Sequence, residues 1–219
     1  EFCRSVNDEA IAISREYSGR FEVFAALPFP NVQPCAEEVS RCSELGVAGY
    51  TLYTNVKGEY PSMVEHKELF AAIEATGLPI FLHPASTPME RRPQPEVFSE
   101  QIEYPQEVTR LMCCFLVEDG LREFVKLSFI LAHGGGILPY QFARLGKLPY
   151  MKIVDGIMKI RWGRVIGDML RKRTQMEDFM ERIRFDLYDA DAPEQRAALA
   201  AVVGDEQLVH GSNFPYHGE

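Results

Sequence analysis

Leu-His-Pro at 82–84, His-Gly-Gly-Gly at 133–136 and Gly-Ser-Asn-Phe-Pro at 211–215 each close an apolar, β-type run: LPIFLHP, KLSFILAHGGG and EQLVHGSNFP. A histidine in such a place, His83 or His133, offers an imidazole for metal ligation or proton transfer. Asn213 offers an amide oxygen that can coordinate, with neither the charge of a carboxylate nor its basicity. Polar groups where apolar strands stop mark the rim of a parallel α/β fold, the edge that carries chemistry in such folds. Each residue also has a plainer reading. A histidine before proline packs and hydrogen-bonds without touching metal, glycines after His133 allow a tight turn, and Asn213 caps local backbone in a turn. His66, between Glu65 and Lys67, reads as a solvated residue at a helix start, and His210, in the run before the third string, as core. His217, beyond Pro215, lies nearer the mouth and is a candidate substrate contact.

The elements that must position these residues alternate. Strands are predicted at 21–27, 47–53, 78–82, 127–132, 183–187 and 207–209. Helices are predicted at 33–45, with Gly46 as a stop, at 65–76, ended by Gly77 and Pro79, and at 193–203. Val108, Leu111, Met112, Phe115 and Leu116 recur at helical spacing, the stripe of a helix lying on a sheet. A long helical and basic region is expected over 140–182. Strands joined by helices imply a parallel sheet, which an open doubly wound sheet and a (β/α)8 barrel both satisfy. No G-x-G-x-x-G follows a strand, and polar groups at three separate strand ends favour the barrel; six strands alone do not close one.

Composition narrows the function. A chain of 219 residues, 46% hydrophobic, can bury one sizeable core. A net charge of −9 and a pI near 5.2 argue against general nucleic-acid binding, which needs a basic face, and point to a small substrate. No apolar stretch has the length of a membrane span, and the opening EFCRSVNDEA lacks the basic-then-apolar order of a signal peptide, so a soluble, cytoplasmic protein is expected. Cys3, Cys35, Cys42, Cys113 and Cys114 have neither C-x-x-C nor quartet spacing and read as reduced small hydrophobes.

The strings also occur in a recognisable order. Arg20-Phe21 leads into a run ending Leu27-Pro28, a helix closes in Glu44-Leu45-Gly46, and His83-Pro84 ends a strand. His133-Gly-Gly-Gly follows with Pro139 and Arg144, then Phe185-Asp186, then Gly211-Ser-Asn-Phe-Pro running into Gly218-Glu219. In these motifs the chain resembles the amidohydrolase-related family that includes aminocarboxymuconate-semialdehyde decarboxylase and the hydroxybenzoate decarboxylases, over nearly its whole length. The resemblance implies an α/β fold of the (β/α)8 TIM-barrel type, with these six strands as the third to eighth. The whole of 1–219 would then be a single barrel domain, lacking the first strands and the C-terminal end. It implies His83 as a metal ligand, His133 as the histidine that polarises substrate or activates a metal-bound water, and position 213 as the last ligand, normally aspartate. The metal would be divalent, most simply Zn2+. A His-x-His or Glu-x-His pair belongs on the family's first strand, and the sequence contains none, so metal is expected to be held weakly or not at all.

Arg144, eleven residues after His133, matches an arginine that in the resembling decarboxylases reaches across a dimer interface to the substrate carboxylate. An intrachain surface salt bridge is the plainer reading. Residues 144–173 carry nine Lys or Arg against two Asp, either a solvated helix face or a surface that attracts anions. Apolar residues between Leu145 and Trp162 exceed what one amphipathic face needs, in keeping with a homodimer. The expected function is metal-dependent decarboxylation of a small carboxylated unsaturated or aromatic compound. Hydrolysis by metal-activated water on the same scaffold is the alternative, and a non-catalytic relative that keeps the pocket is the second.

Overall fold

The computed structural model describes residues 1–86, 99–117, 123–145, 153–154, 157–158 and 178–214. Helix α1 (Phe2–Glu16) precedes strand β1 (Phe24–Ala26); then follow α2 (Val32–Leu45), β2 (Gly49–Tyr53), α3 (Lys67–Thr76), β3 (Ile80–His83), α4 (Ser99–Val117) and β4 (Phe129–Leu131). A 3-10 turn (His133–Gly135) leads to α5 (Leu138–Leu145). The short strands β5 (Ile153–Val154) and β6 (Ile157–Met158) come next, then β7 (Ile183–Asp186), α6 (Pro193–Val203) and β8 (Leu208–Val209). Six strands form one sheet in the order β1-β2-β3-β4-β7-β8, every neighbouring pair parallel. All six predicted runs hold strands, shorter than predicted at one or both ends although β3 runs on to His83, and all six point their carboxyl ends to the same rim.

The sheet has one buried face and one half-open face. Along β3, β4 and β7 burial alternates strictly: Ile80, Leu82, Phe129, Leu131, Ile183 and Phe185 are buried, while Phe81, His83, Ile130, Arg184 and Asp186 are half-buried. Period-two alternation is what the pleat produces when helices cover one face. Covering it are Val39 and Cys42 of α2, Leu69, Phe70 and Ile73 of α3, and Val108, Leu111, Met112 and Phe115 of α4, the stripe predicted for that helix. Each fully buried Leu, Ile or Phe contributes roughly 1.5–3 kcal/mol. Helices α2 and α3 end where glycine was expected to end them, at Gly46 and Gly77, both in the left-handed region.

Three features depart from the sequence reading. Helix α1 was not expected, and what it buries are Asn7 and Ile11. The amide of Asn7 receives the N–H of Ala26 (2.8 Å) and donates to its carbonyl (2.9 Å), so α1 is sewn to the edge strand by a side chain that mimics a strand's backbone. The same amide donates to Glu38 Oε1 at 2.7 Å, and Arg41 grips both Glu38 oxygens, at 2.8 and 2.6 Å, while reaching Asp8 at 2.6 Å. Secondly, the region 140–182 is not continuously helical. Ile153–Val154 and Ile157–Met158 pair antiparallel, and the Asp-Gly that stands between them in the sequence is a strong hairpin signal. Thirdly, the cysteines form no disulfide, as expected, and Cys35 and Cys42 are buried, but Cys114 is exposed, so the small-hydrophobe reading fails there. Among the described residues no helix is long and apolar enough to cross a membrane.

Candidate functional site

Register places the rim residues. Leu82 pairs with Leu131 and Leu131 with Phe185, so one step further along the strands His83 and Asp186 flank Ala132 on the half-open face. Two strand spacings separate them, about 10 Å between backbones, across the buried Ala132. His83 is fixed from behind: its carbonyl accepts the Thr54 N–H (3.0 Å), Thr54 Oγ1 accepts the Ala85 N–H (2.9 Å), and Asn55 donates to the Ser86 carbonyl (3.2 Å). Asn55 in turn is held by the fully buried Glu107, which also accepts from Tyr60 at 2.7 Å and pairs with Arg110. The His83 ring shares its Nδ1 with the Pro84 carbonyl at 2.8 Å, which puts the proton on Nδ1 and leaves the Nε2 lone pair free to ligate. Tyr53 and Phe81 lie against the same ring, at 5.8 and 6.0 Å between centroids.

His133 stands at the opening of the triple-glycine turn, with φ +53, and Gly134, Gly135 and Gly136 all have positive φ. The turn is a close packing of three elements. A Cβ at Gly134 would sit 3.0 Å from Ala190, one at Gly135 2.8 Å from Phe185 and one at Gly136 2.1 Å from the Pro105 carbonyl, so glycine is required for both conformation and contact. The consequence is a buried imidazole, 8% exposed, whose ring meets His83 at 6.2 Å, Tyr104 at 6.0 Å and Tyr188 at 5.2 Å. Its Nδ1 is buried and makes no hydrogen bond; the nearest carboxylate oxygen is Asp189 Oδ2 at 3.4 Å.

Asp186 completes the arrangement. Its Oδ1 accepts the Tyr188 N–H at 2.6 Å, and the carboxylate lies so close to Gly211 that a Cβ there would fall 2.0 Å from Oδ1. The glycine of the third string is thus explained by contact rather than by backbone angle. Burial pushes the Asp186 carboxyl up from the usual carboxylate range, against the pull of the Tyr188 N–H and the nearby histidines. Burial likewise holds His83 and His133 below the ordinary imidazole value, opposed by the Pro84 carbonyl and Asp186 at His83 and by Asp189 and Asp186 at His133. Two neutral imidazoles beside a reluctant carboxylate are an arrangement suited to holding and passing a proton.

The predicted residues therefore fare differently. His83 and His133 come together at the rim. Asn213 follows β8, the strand paired with β7, half-buried and with φ +49, a conformation that asparagine tolerates better than most residues. Arg144 lies in α5, and His217 lies outside the described residues. His66 is not solvated: it is 7% exposed, its Nδ1 accepts the Ser62 N–H at 3.0 Å, and its ring stands 5.0 Å from Phe29. The turn at 62–66 folds back over the helix start, a long-range packing that the flanking Glu65 and Lys67 concealed. His210 is exposed rather than core, because β8 is an edge strand and its residues are only half-buried. Asp186 and Asp189 were missed as candidate site residues; the signal available for Asp186 was its place at the end of a predicted strand, Ile183–Asp186.

The donor chemistry tests the implied metal. His83 Nε2 suits a divalent cation, but among the described residues no group of three or more His, Cys, Asp or Glu side chains is placed to hold one. His83 is one good ligand, and the described residues by themselves do not make a closed site.

Comparison with known proteins fits this geometry. The family model described as Amidohydrolase matches residues 1–219, and the chain belongs to that family. It is 26% identical over 229 residues to the decarboxylase macB of Penicillium terrestre, covering 97% of this chain and 63% of that protein. It is 24% identical over 146 residues to a 2-amino-3-carboxymuconate-6-semialdehyde decarboxylase of Dictyostelium discoideum, covering 66% of this chain and 41% of that one. A dihydroxybenzoic acid decarboxylase from Polaromonas sp. JS666, solved with bound manganese and the inhibitor 2-nitroresorcinol, superposes with a TM-score of 0.69 at 19% identity, over 99% of this chain and 65% of its own. The chain thus spans less than two thirds of each of these relatives, and its parallel sheet with alternating helices is part of a TIM-type barrel.

Proposed function

We propose that the protein is a metal-dependent decarboxylase acting on a small carboxylated aromatic or unsaturated compound. The observation that carries this reading is the juxtaposition of His83 and His133, rings 6.2 Å apart, at the carboxyl rim of an amidohydrolase sheet whose relatives include decarboxylases. His83 would hold a divalent metal, zinc or manganese, through Nε2, with Asn213 as an amide ligand; when bound, such an ion supplies Lewis acidity towards substrate oxygens. His133 would carry a proton from water to the substrate, taking it up at the ring nitrogen that faces the ligand and passing it on from there. In decarboxylation the bond between carbon and carboxylate breaks, its electron pair stays on carbon, that carbon takes a proton and carbon dioxide leaves, so a buried imidazole beside the reacting carbon is the group required. Tyr53, Tyr104 and Tyr188 ring the two histidines with aromatic edges suited to a planar substrate. Arg144 and His217 would meet the substrate carboxylate, Arg144 from a neighbouring copy in a homodimer. Exposed Ile137 and Tyr140, at the start of the helix that carries Arg144, support an interface there.

Asn213 favours a second reading, a relative that binds carboxylates and has lost efficient metal chemistry. One assay separates them. The intact protein, loaded with Mn2+ or Zn2+, is given 2,6-dihydroxybenzoate and released carbon dioxide is measured. Turnover abolished by His133→Gln supports the enzyme; binding of the compound without carbon dioxide release supports the second reading.

A further inference from the structure

We propose that Asp189 is the positioning residue of His133: its carboxylate holds the proton of the imidazole on Nδ1 and leaves Nε2 as the ring atom that meets the ligand. Four observations lead there. First, His133 Nδ1 is, among the described residues, a buried side-chain nitrogen without a hydrogen bond, a condition that costs free energy and that folded proteins tolerate chiefly where function requires it. Second, the carboxylate oxygen beside it is Asp189 Oδ2, 3.4 Å away and out of line for a hydrogen bond, so that a small turn of the exposed Asp189 side chain completes one. Third, both partners are held in the left-handed region, His133 at φ +53 and Asp189 at φ +56. Two non-glycine residues on separate loops adopt a sparsely populated backbone, and together those conformations set the two side chains opposite one another. Fourth, the loops are built to touch: Gly134, next to His133, lies against Ala190, next to Asp189, so closely that a Cβ would stand 3.0 Å from the alanine.

The chemistry of the pair explains its value. A neutral imidazole exists as two tautomers, and only one of them presents a lone pair at a given nitrogen. Tyr104 and Tyr188 pack edgewise on the ring and fix its plane, and neither packing contact selects a tautomer. A carboxylate at Nδ1 does. The Asp189 side chain is 52% exposed, so water solvates it while Oδ2 lies 3.4 Å from the buried ring.

The test is spectroscopic first. In the intact protein labelled with 15N, long-range 15N–1H spectra of the histidine rings at neutral pH report the tautomer, His133 being assigned by loss of its signals in His133→Gln. The expected result is an Nδ1-protonated ring in the wild type and a shift towards the Nε2-protonated form in Asp189→Asn. Asparagine tolerates positive φ, so this variant should fold, which its thermal midpoint checks. A wild-type ring already protonated on Nε2, or a ring unchanged by Asp189→Asn, overturns the proposal; the wild-type spectrum alone decides should the variant not fold. The kinetic arm rests on the decarboxylase reading: with 2,6-dihydroxybenzoate, Asp189→Asn should lower kcat about ten- to a hundredfold with little change in KM, and Asp189→Glu should recover part of the loss. An equal fall of kcat/KM arising from KM alone counts against positioning. A protein that turns over no carboxylate but shows the expected tautomers leaves the pairing of His133 and Asp189 supported and removes the decarboxylase reading instead.

Discussion

Two polar clusters flank the same sheet and treat their carboxylates in opposite ways. Where α1, α2 and β1 meet, Glu38 is nearly buried, yet the Arg41 fork and the amide of Asn7 hold its carboxyl down to about 2, against the cost of burial. At the rim, burial wins: the Asp186 carboxyl is pushed up, His83 and His133 are held neutral, and one imidazole nitrogen has no hydrogen bond. The first cluster is satisfied and stabilises the fold. The second carries unmet electrostatic cost, in strained loops, at the sheet edge where this fold performs chemistry. Burial alone does not mark a functional group; burial without full compensation does.

The sharpest way to break that contrast is to exchange the consequences of mutation. His133→Gln should cut the proposed turnover by a hundredfold or more while leaving the thermal midpoint near that of the wild type, because the ring it removes is poorly satisfied. A His133→Gln protein that melts much lower and retains activity would move His133 into the structural class with His66.

Glu38→Gln should do the reverse, with activity kept per folded molecule and stability at pH 7 lowered by about 2–3 kcal/mol, since Arg41 and Asn7 lose their anion. The sign with pH follows from a depressed carboxyl. The stabilisation is complete above the unfolded glutamate value of about 4.5 and is lost as pH falls through about 2. Urea midpoints of wild type and variant should therefore differ at pH 7 and converge near pH 2; a constant gap across that range would mean that packing, not charge, is what Glu38 contributes.

How much of this contrast the sequence displayed depends on the reach of the contacts involved. Strands and covering helices were legible because their signals are local: LPIFLHP and KLSFILAHGG are apolar runs with a polar end, and α4 repeats its apolar residues at helical spacing. The positions of His83 and His133 followed from those runs. Helix α1 was missed because its key buried residue is an asparagine, whose partner Ala26 lies nineteen residues away. Phe29, distant in sequence, packs on His66, and the Asp-Gly at 155–156 stands in a stretch whose basic composition reads as helix. Asp189 could not be found by pattern at all. It stands in a polar stretch, DLYDADAP, and becomes a site residue only because a left-handed backbone and a glycine on another loop bring His133 to it.

The smallest expected effect concerns Asp186, and it runs against the usual direction of mutation. A carboxyl whose value is raised by folding gives stability that is present below the unfolded aspartate value of about 3.9 and lost as pH rises through the folded value. At neutral pH the native rim therefore holds a charge that burial disfavours. Asp186→Asn keeps the shape beside Gly211 and keeps an oxygen for the Tyr188 N–H, while removing that charge. The variant should be more stable than the wild type at pH 7, by the order of 1 kcal/mol, and indistinguishable from it near pH 3.5. The same change should weaken binding of Mn2+ or slow the proposed reaction, because the carboxylate is retained at a cost that only function repays. If Asp186→Asn is instead less stable at pH 7, the pull of His83 and His133 on the carboxylate exceeds the cost of its burial, and the rim is a satisfied cluster like that around Glu38.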